Sequence, residues 1–462
     1  MYRVAVLGGG VSGLAAAHRL LELRLERGTN LDVTLYESSP RAGGCVQTLE
    51  TDNALLELGA DSLLAGKPAI TALLDRLNLT RDVVDQQTAF RGARILRGGK
   101  LRPVPPEFRL FAPRSIPALV RSGVFSPAGI LRAALEPLVP ARRSEDDESL
   151  ASFVTRRLGR EVLQRLAQPL IGGIYSADPA HLSMEAALPQ FPQYERTYGS
   201  LLNAMRQAPP AQPPRLVSLR AGLGSLVHAL TDRLGSTVRT ASHVQAVSYD
   251  DGWRVTVAGE RTERFDAIVC ALPAPAAAVL FTTIDPLLAS NLNAIRCNSI
   301  ATINLLYDAA AMQLPPSTGF VVPFVEKRKI VAATFTSQKY PGRTPPDTIG
   351  VRVFIGGALQ PELLLQSDDA LIAIARSELA SLLNVRKPPF RAVVARWNNL
   401  PQYDVGHGKR LAAIEQQTAR LPGAAMAGCL MRGVGVPDCI ASGETAAESV
   451  FGYVTGAKGA ST

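Results

Sequence analysis

An α/β fold with a parallel sheet is what the two ends of the chain predict. Residues 3–7 read as a short buried strand that runs straight into Gly8-Gly9-Gly10-Val11-Ser12-Gly13 and an Ala- and Leu-rich helix. Residues 32–36 read as a second strand, ending at Glu37. Near the other terminus the apolar stretch 424–427 leads through Gly428 to Gly433-Val434-Gly435-Val436-Pro437-Asp438 and a further helix, so the pattern of strand, glycine turn and helix occurs twice.

Each element has a physical reason. Gly8 permits the tight turn, Gly10 lets the backbone approach a pyrophosphate, and Gly13 lets the helix lie close on its strand. The anion then sits at the helix N-terminus, with Val11 and Ser12 in the first turn. Glu37, with Ser38 beside it, is placed to accept hydrogen bonds from both hydroxyls of an adenosine ribose, and would repel a phosphorylated one. The second turn, with Gly428, Gly433, Val434 and Gly435, presents amide hydrogens and the positive end of a helix dipole. That suits an electron-rich or phosphate-bearing part of a bound dinucleotide. A site drawn from both termini predicts a discontinuous, Rossmann-like dinucleotide domain with other domains inserted between its pieces.

At 462 residues the chain is long enough for two or three domains. Its 49 Lys and Arg against 40 Asp and Glu give +9, which favours anionic substrates, an anionic membrane surface or nucleic acid. No nucleic-acid-binding signature accompanies that charge, so no nucleic-acid partner is expected. Cys45, Cys270, Cys297, Cys429 and Cys439 form neither a CxxC pair nor zinc spacing, which predicts reduced thiols, no metal site and a cytoplasmic setting. The longest apolar stretch, 267–281, is broken by Pro273 and Pro275 and too short for a bilayer, so membrane association is expected to be peripheral at most. Residues 108–135 carry Arg109, Arg114, Arg121 and Arg132 with no acid, interleaved with Phe111, Leu119, Val120, Phe125 and Leu131. Such a basic insert suits the inner face of the cell membrane, a channel for an apolar carboxylate, or a plain helical subdomain.

Arg41-Ala42-Gly43-Gly44 resembles the R-x-G-G element shared by monoamine-oxidase-like and porphyrinogen-oxidase-like flavoproteins. Its glycines let the chain pass close to a flavin, and Arg41 balances pyrophosphate charge. Glu57-Leu58-Gly59-Ala60-Asp61-Ser62 resembles the segment that passes beside the isoalloxazine in this superfamily, with Ala60 where Pro is commoner. The stretches 238–247, 253–257 and 265–273 resemble the strands that return to the FAD domain, Val244 matching the position whose backbone meets the adenine.

Further matches are narrower. Gln168-Pro169-Leu170-Ile171-Gly172-Gly173-Ile174-Tyr175-Ser176-Ala177-Asp178-Pro179, followed by Leu182-Ser183, resembles a signature of protoporphyrinogen and coproporphyrinogen III oxidases. Lys100-Leu101-Arg102-Pro103-Val104-Pro105, Phe354-Ile355-Gly356-Gly357 and Pro401-Gln402-Tyr403-Asp404-Val405-Gly406-His407 resemble other segments of that family. The likeness therefore runs from the first strand to the last helix. It implies non-covalent FAD, a porphyrinogen substrate, three two-electron oxidations and molecular oxygen reduced to hydrogen peroxide. It leaves open a hand-off to ferrochelatase, a homodimer and contact with a membrane.

Carried over by the resemblance, Gly173 turns a backbone carbonyl towards the tetrapyrrole, with Ile174 beside it. Phe354 packs on the macrocycle, and Val321 and Thr334 flank the rings, Thr334 replacing the usual Leu. Trp397 matches a position near the flavin. An arginine upstream of Lys100 pairs with a propionate; Arg91, Arg94 and Arg97 are candidates and Arg94 is preferred. His407 reads as structural rather than as an acid or base. Amine oxidases, carotenoid desaturases and the non-enzymatic Rab-escort and GDP-dissociation-inhibitor proteins share the architecture and stand as alternatives. The expected division is FAD domain 1–66, 214–274 and 395–462; mixed-sheet α+β substrate domain 67–90 and 275–394; and a mainly helical insert, 91–213.

Overall fold

The computed structural model describes residues 1–104, 107–207 and 215–456. Pro105 of the family-like segment, the boundary at 213/214 and the tail 457–462 lie outside them.

Five strands form a parallel sheet in the order Val238–Arg239, Leu31–Tyr36, Tyr2–Leu7, Ala267–Cys270, Ala424–Met426. Its central strands are covered on both faces, which demands apolar side chains throughout; Val4, Val6, Ile268 and Val269 are fully buried. Helix Val11–Glu26 follows the first strand and helix Val436–Thr455 the last. The two helices touch through backbone: a Cβ on Gly443 would collide with the Ser12 carbonyl oxygen, and one on Gly13 with that of Gly8. Both N-termini thus arrive at one edge of the sheet. There Gly8 N donates to Tyr36 O at 2.8 Å, Ala271 N to Leu7 O at 2.8 Å and Ala427 N to Cys270 O at 2.9 Å, aligning the strand ends. Strand order reverses between Tyr2–Leu7 and Ala267–Cys270, and the crevice at such a switch point is where open α/β sheets hold ligands.

A second sheet of seven strands runs in the order Arg391–Pro401, Cys297–Asp308, Thr348–Gly356, Ala332–Phe335, Gly319–Val321, Ala93–Arg97, Lys100–Pro103. All its pairings are antiparallel except Ala93–Arg97 with Gly319–Val321. Two expected boundaries are corrected by this pairing. The hairpin 93–103, assigned to the insert by the division at 90/91, is part of the sheet. The division at 394/395 cuts through strand Arg391–Pro401, which is hydrogen-bonded along its length to Cys297–Asp308. Sequence pattern shows where an apolar strand lies but not which sheet it joins.

The insert closes on its own core, with Phe111, Phe153, Phe191 and Leu201 buried together. Arg157 and Glu136 form a fully buried ion pair. Glu136 also accepts from Ser200 Oγ at 2.5 Å and Leu201 N at 2.8 Å, and Arg157 donates to the Val139 and Gly199 carbonyls, so neither charge is stranded. Three arginines of the basic stretch are engaged within the chain: Arg109 with Tyr194 OH, Arg121 with Glu107 and Arg132 with the carbonyls of Thr155, Arg156 and Arg157. Phe111, Leu119 and Phe125 point into the core, leaving Val120 and Leu131 outward. Among the described residues no helix is long and apolar enough to cross a membrane.

Candidate active site

The glycine turns from the two ends meet. Gly43 N donates to Gly9 O at 2.7 Å, laying the Arg41–Gly44 loop over the first turn, and Gly44 comes so close that its Cβ would stand 3.3 Å from Gly10 Cα. A Cβ on Gly428 would stand 3.7 Å from Ser12 Oγ, placing the second turn against the first helix. Gly10 itself faces open space, with nothing within 4 Å of where a Cβ would be. Glu37 is held by the Gly9 and Ser39 amides, both at 2.7 Å, with Ser38 Oγ at 3.4 Å. The segment carrying Val244 lies beside it, because Glu37 N donates to Arg239 O and Ser242 N to Glu37 O. Arg41 turns its guanidinium onto the carbonyls of Ala42 and Gly44, its own loop.

The segment 57–62 is gripped from the seven-stranded sheet. Trp397 Nε1 donates to Leu58 O at 2.8 Å, Thr302 Oγ1 to the same oxygen at 2.5 Å, and Arg352 to Glu57 O at 3.0 Å and Gly59 O at 2.9 Å. Gly59 has no room for a side chain, since a Cβ would strike the Cys45 carbonyl oxygen. Asp61 then faces both Lys339, at 2.8 Å, and Arg352, at 2.6 Å, with Ser62 Oγ donating to it at 2.7 Å; Ala60 packs against the core of the parallel sheet. Sequence reasoning named Asp61 and Trp397 but missed Lys339 and Arg352. The available signal was periodicity: Arg352 precedes Phe354 by two in a strand and so shares its face.

That face is shared across three neighbouring strands. Val321 pairs with Ala332, Ala332 with Phe354, and Thr334 with Arg352, which brings Val321, Thr334, Arg352 and Phe354 onto one side. The alternate residues Phe320, Ala333, Val353 and Ile355 fill the core on the other side. The Arg352 guanidinium lies 4.9 Å from the centre of the Phe354 ring. Helix Gln168–Tyr175 is tied at its end to the turn after Phe354 by Ala358 N donating to Ser176 O at 2.9 Å. Gly173 and Ile174 on that helix are exposed, with nothing within 4 Å of a Cβ at Gly173. Val321 and Val434 both pack on the insert's core, so the seven-stranded sheet and the second glycine turn both touch the insert.

Arg94 does not share the Phe354 face. Arg94 pairs with Phe320 and Ile95 with Val321, so the register sends Arg94 to the face opposite Phe354, where it donates to Leu101 O at 3.2 Å. The residue was chosen by distance along the chain, and a one-residue change of register moves a strand side chain to the other face. Arg97 shares the face of Ile95 but donates to Gly123 O at 2.9 Å. His407 is buried, stacked 4.2 Å from Tyr403, with Nε2 at 3.3 Å from Met431 O.

Residues 11–451 match the family model described as flavin containing amine oxidoreductase. The chain belongs to that family. Within it the chain groups with the protoporphyrinogen and coproporphyrinogen III oxidases. A coproporphyrinogen III oxidase of Bacillus subtilis is 31% identical over 465 residues, covering 98% of each chain. Protoporphyrinogen oxidase 2 of Arabidopsis thaliana is 28% identical, covering 98% of this chain and 94% of its own. A crystal structure from Exiguobacterium sp. 255-15, provisionally named a protoporphyrinogen oxidase, superimposes with a TM-score of 0.87 at 30% identity, over 97% of this chain and 98% of that one. The family brings a flavin cofactor, and the residues present fit one: the open space over Gly10, the paired glycine turns and the two helix N-termini form a cradle for a dinucleotide.

Proposed function

We propose that this chain is an oxygen-dependent FAD oxidase that converts a porphyrinogen, protoporphyrinogen IX or coproporphyrinogen III, to the porphyrin with release of hydrogen peroxide. The reading is supported by the shared face of Val321, Thr334 and Phe354 and by helix Gln168–Tyr175, which carries the exposed Gly173 and is tied to the turn after Phe354; together they would bound a substrate crevice. Full-length similarity to enzymes of that name supports it.

Residues of the two glycine turns would hold a non-covalently bound flavin, which would supply a two-electron acceptor for hydride (one proton and two electrons) and return the electrons to oxygen. The chain's own part is positional. The Gly10, Gly43 and Gly44 backbones would hold the pyrophosphate, Glu37 would accept from the ribose, and the gripped segment 57–61 would support the flavin. Phe354 and Val321 offer an apolar surface to a tetrapyrrole disc, and the Gly173 carbonyl accepts from its pyrrole N–H groups. Holding the reacting carbon in line with the acceptor supplies much of the rate enhancement.

Purified full-length protein, loaded with FAD, is to be assayed for oxygen uptake and porphyrin fluorescence with each porphyrinogen. One of the two is oxidised, and acid precipitation leaves all of the flavin in the supernatant. Inactivity towards both would remove the substrate assignment; flavin retained in the pellet would remove non-covalent attachment.

A further inference from the structure

Strand Cys297–Asp308, helix Asp368–Leu383 and the connection that follows the helix bound a surface groove of about 390 Å³. The helix contributes Arg376, Ser377 and Ala380, which its period sets on one face, and the short side chain of Ala380 leaves room beside them. Asn384, at a φ of 51°, ends the helix, and the chain then passes along the groove with Arg386 and Lys387. That connection is held at both ends: Arg386 N donates to Ala311 O at 2.7 Å and Phe390 N to Leu306 O at 2.9 Å, with Pro388-Pro389 stiffening the backbone between. Tyr307 is the one buried residue of the lining, at 1% exposure, so it forms the floor, and its hydroxyl has no hydrogen-bond partner among the described residues. Burial pushes that hydroxyl up to about 12, so it keeps its proton at neutral pH and serves as a donor. The charges around it are unmatched, unlike those nearby. Arg328 meets Glu378 at 3.3 Å, Arg391 meets Asp52 at 2.6 Å and Arg396 meets Asp368 at 2.7 Å. Arg376, Arg386 and Lys387 meet no acid among the described residues, and no acidic side chain lines the groove. The C-terminal end of the helix carries only about half a negative charge, which leaves most of three positive charges unanswered.

We infer that this groove binds a phosphate group, borne by a soluble phosphate compound or by a lipid headgroup. The guanidinium forks of Arg376 and Arg386 each match two oxygens, Lys387 adds a point charge, and the hydroxyls of Tyr307 and Ser377 donate from the floor and from the helix. A carboxylate has too few oxygens for so many donors, whereas a phosphate group presents three and carries up to two charges. The groove is separate from the face of Phe354. Phe354 pairs with Thr302, roughly 16 Å along the strand from Tyr307, and Tyr307 lies in the core on the other side of the sheet with Ala301, Ile303 and Leu305. This is therefore a second site, and it stands independently of the function proposed above.

FAD-loaded full-length protein, its flavin site filled, is titrated with inorganic pyrophosphate by calorimetry at low ionic strength, where screening is weak. One equivalent binds. Tyr307→Phe keeps the ring, removes only the hydroxyl and weakens binding about fivefold. Arg376→Gln, Arg386→Gln and Lys387→Gln combined weaken it about tenfold or more. A control with the same loss of charge at exposed positions elsewhere, Arg27→Gln, Arg81→Gln and Arg261→Gln combined, stays within about twofold of the unaltered protein. Equal weakening in the two triple variants, or unchanged affinity in Tyr307→Phe, overturns the site, because either result means diffuse surface charge alone. Sedimentation with phosphatidylcholine vesicles, with and without phosphatidic acid, identifies the source. Co-sedimentation that requires phosphatidic acid and is lost in the Arg376, Arg386 and Lys387 variant assigns a headgroup; pyrophosphate binding without co-sedimentation assigns a soluble phosphate compound. Absence of both kinds of binding overturns the inference.

Discussion

Lys339 donates to both oxygens of Asp61, at 2.9 and 2.8 Å, while Arg352 reaches the same carboxylate at 2.6 Å. One anion therefore answers two cations in an enclosed space. Burial pushes the Asp61 carboxyl up, but Arg352 and Lys339 outweigh it and hold the group below the usual carboxylate range. Burial pulls Lys339 below its ordinary value, and Asp61 works against that. Because Arg352 also holds the Glu57 and Gly59 carbonyls, the cluster locks the segment 57–61 to the seven-stranded sheet.

Replacing Asp61 by Asn leaves two cations facing each other without an anion. Loss of about 3–5 kcal/mol is expected in urea denaturation of the flavin-loaded protein. Lys339→Met costs less, since Asp61 keeps Arg352. In the double variant the losses do not add, with a coupling of about 1 kcal/mol or more. The acid limb carries the sign: a depressed folded pKa contributes stability that is present above the ordinary carboxylate value and lost as pH falls. Asp61→Asn removes that acid-sensitive part; additive losses would mean the three charges act separately.

Gly10 and Gly13 look alike in sequence and differ in space. A Cβ on Gly10 meets nothing of the protein, whereas one on Gly13 meets the Gly8 carbonyl. Gly10→Ala is therefore expected to melt within about 2 °C of the wild type yet bind FAD roughly tenfold more weakly. Gly13→Ala and Gly443→Ala force backbone apart and lower stability by about 1–3 kcal/mol. Calorimetry of the apoprotein together with flavin titration separates the two effects; equal destabilisation at Gly10 would mean that the space above it is not a ligand site.

Strand register decides the next comparison. Phe354→Ala removes an aromatic surface from the crevice and is expected to raise KM for the porphyrinogen by about tenfold. Arg94→Ala, on the far face, leaves kcat/KM within about twofold. A large loss of kcat/KM at Arg94 would mean that the guanidinium swings round to the substrate.

The glycine turns were legible because their requirement is local: a strand, three glycines and a helix can be read in a few residues. Glu37 and the opening of helix Val436–Thr455 followed from the same local logic. The cluster of Asp61, Lys339 and Arg352 was not legible, because those positions are far apart in sequence and only the pairing of Ala332–Phe335 with Thr348–Gly356, set against the segment 57–61, brings them together. Arg94 shows the same limit from the other side. Its residue type suited a propionate, but which face a strand turns to a crevice is fixed by hydrogen-bond register.

His407 offers the last test, because burial, rather than chemistry, sets its proton affinity. Burial lowers the imidazole, the Met431 carbonyl opposes this, and Arg410 and Arg432 lower it further while Asp404 raises it. Its folded pKa therefore lies below the ordinary value of about 6.5. The unfolded chain binds the proton more readily, so stability is complete above that pH and falls as the pH drops towards the folded pKa, by up to about 1.4 kcal/mol per pH unit. His18, also buried and also lowered, adds a loss of the same sign. His407→Phe keeps a ring against Tyr403 and is expected to reduce the difference in melting temperature between pH 7 and pH 5, leaving the share that belongs to His18. Porphyrin formation at pH 7 should stay within about twofold of the wild type, since a positioned general base contributes roughly a hundredfold or more. A fall of that larger size, with stability intact, would assign His407 to the reaction itself.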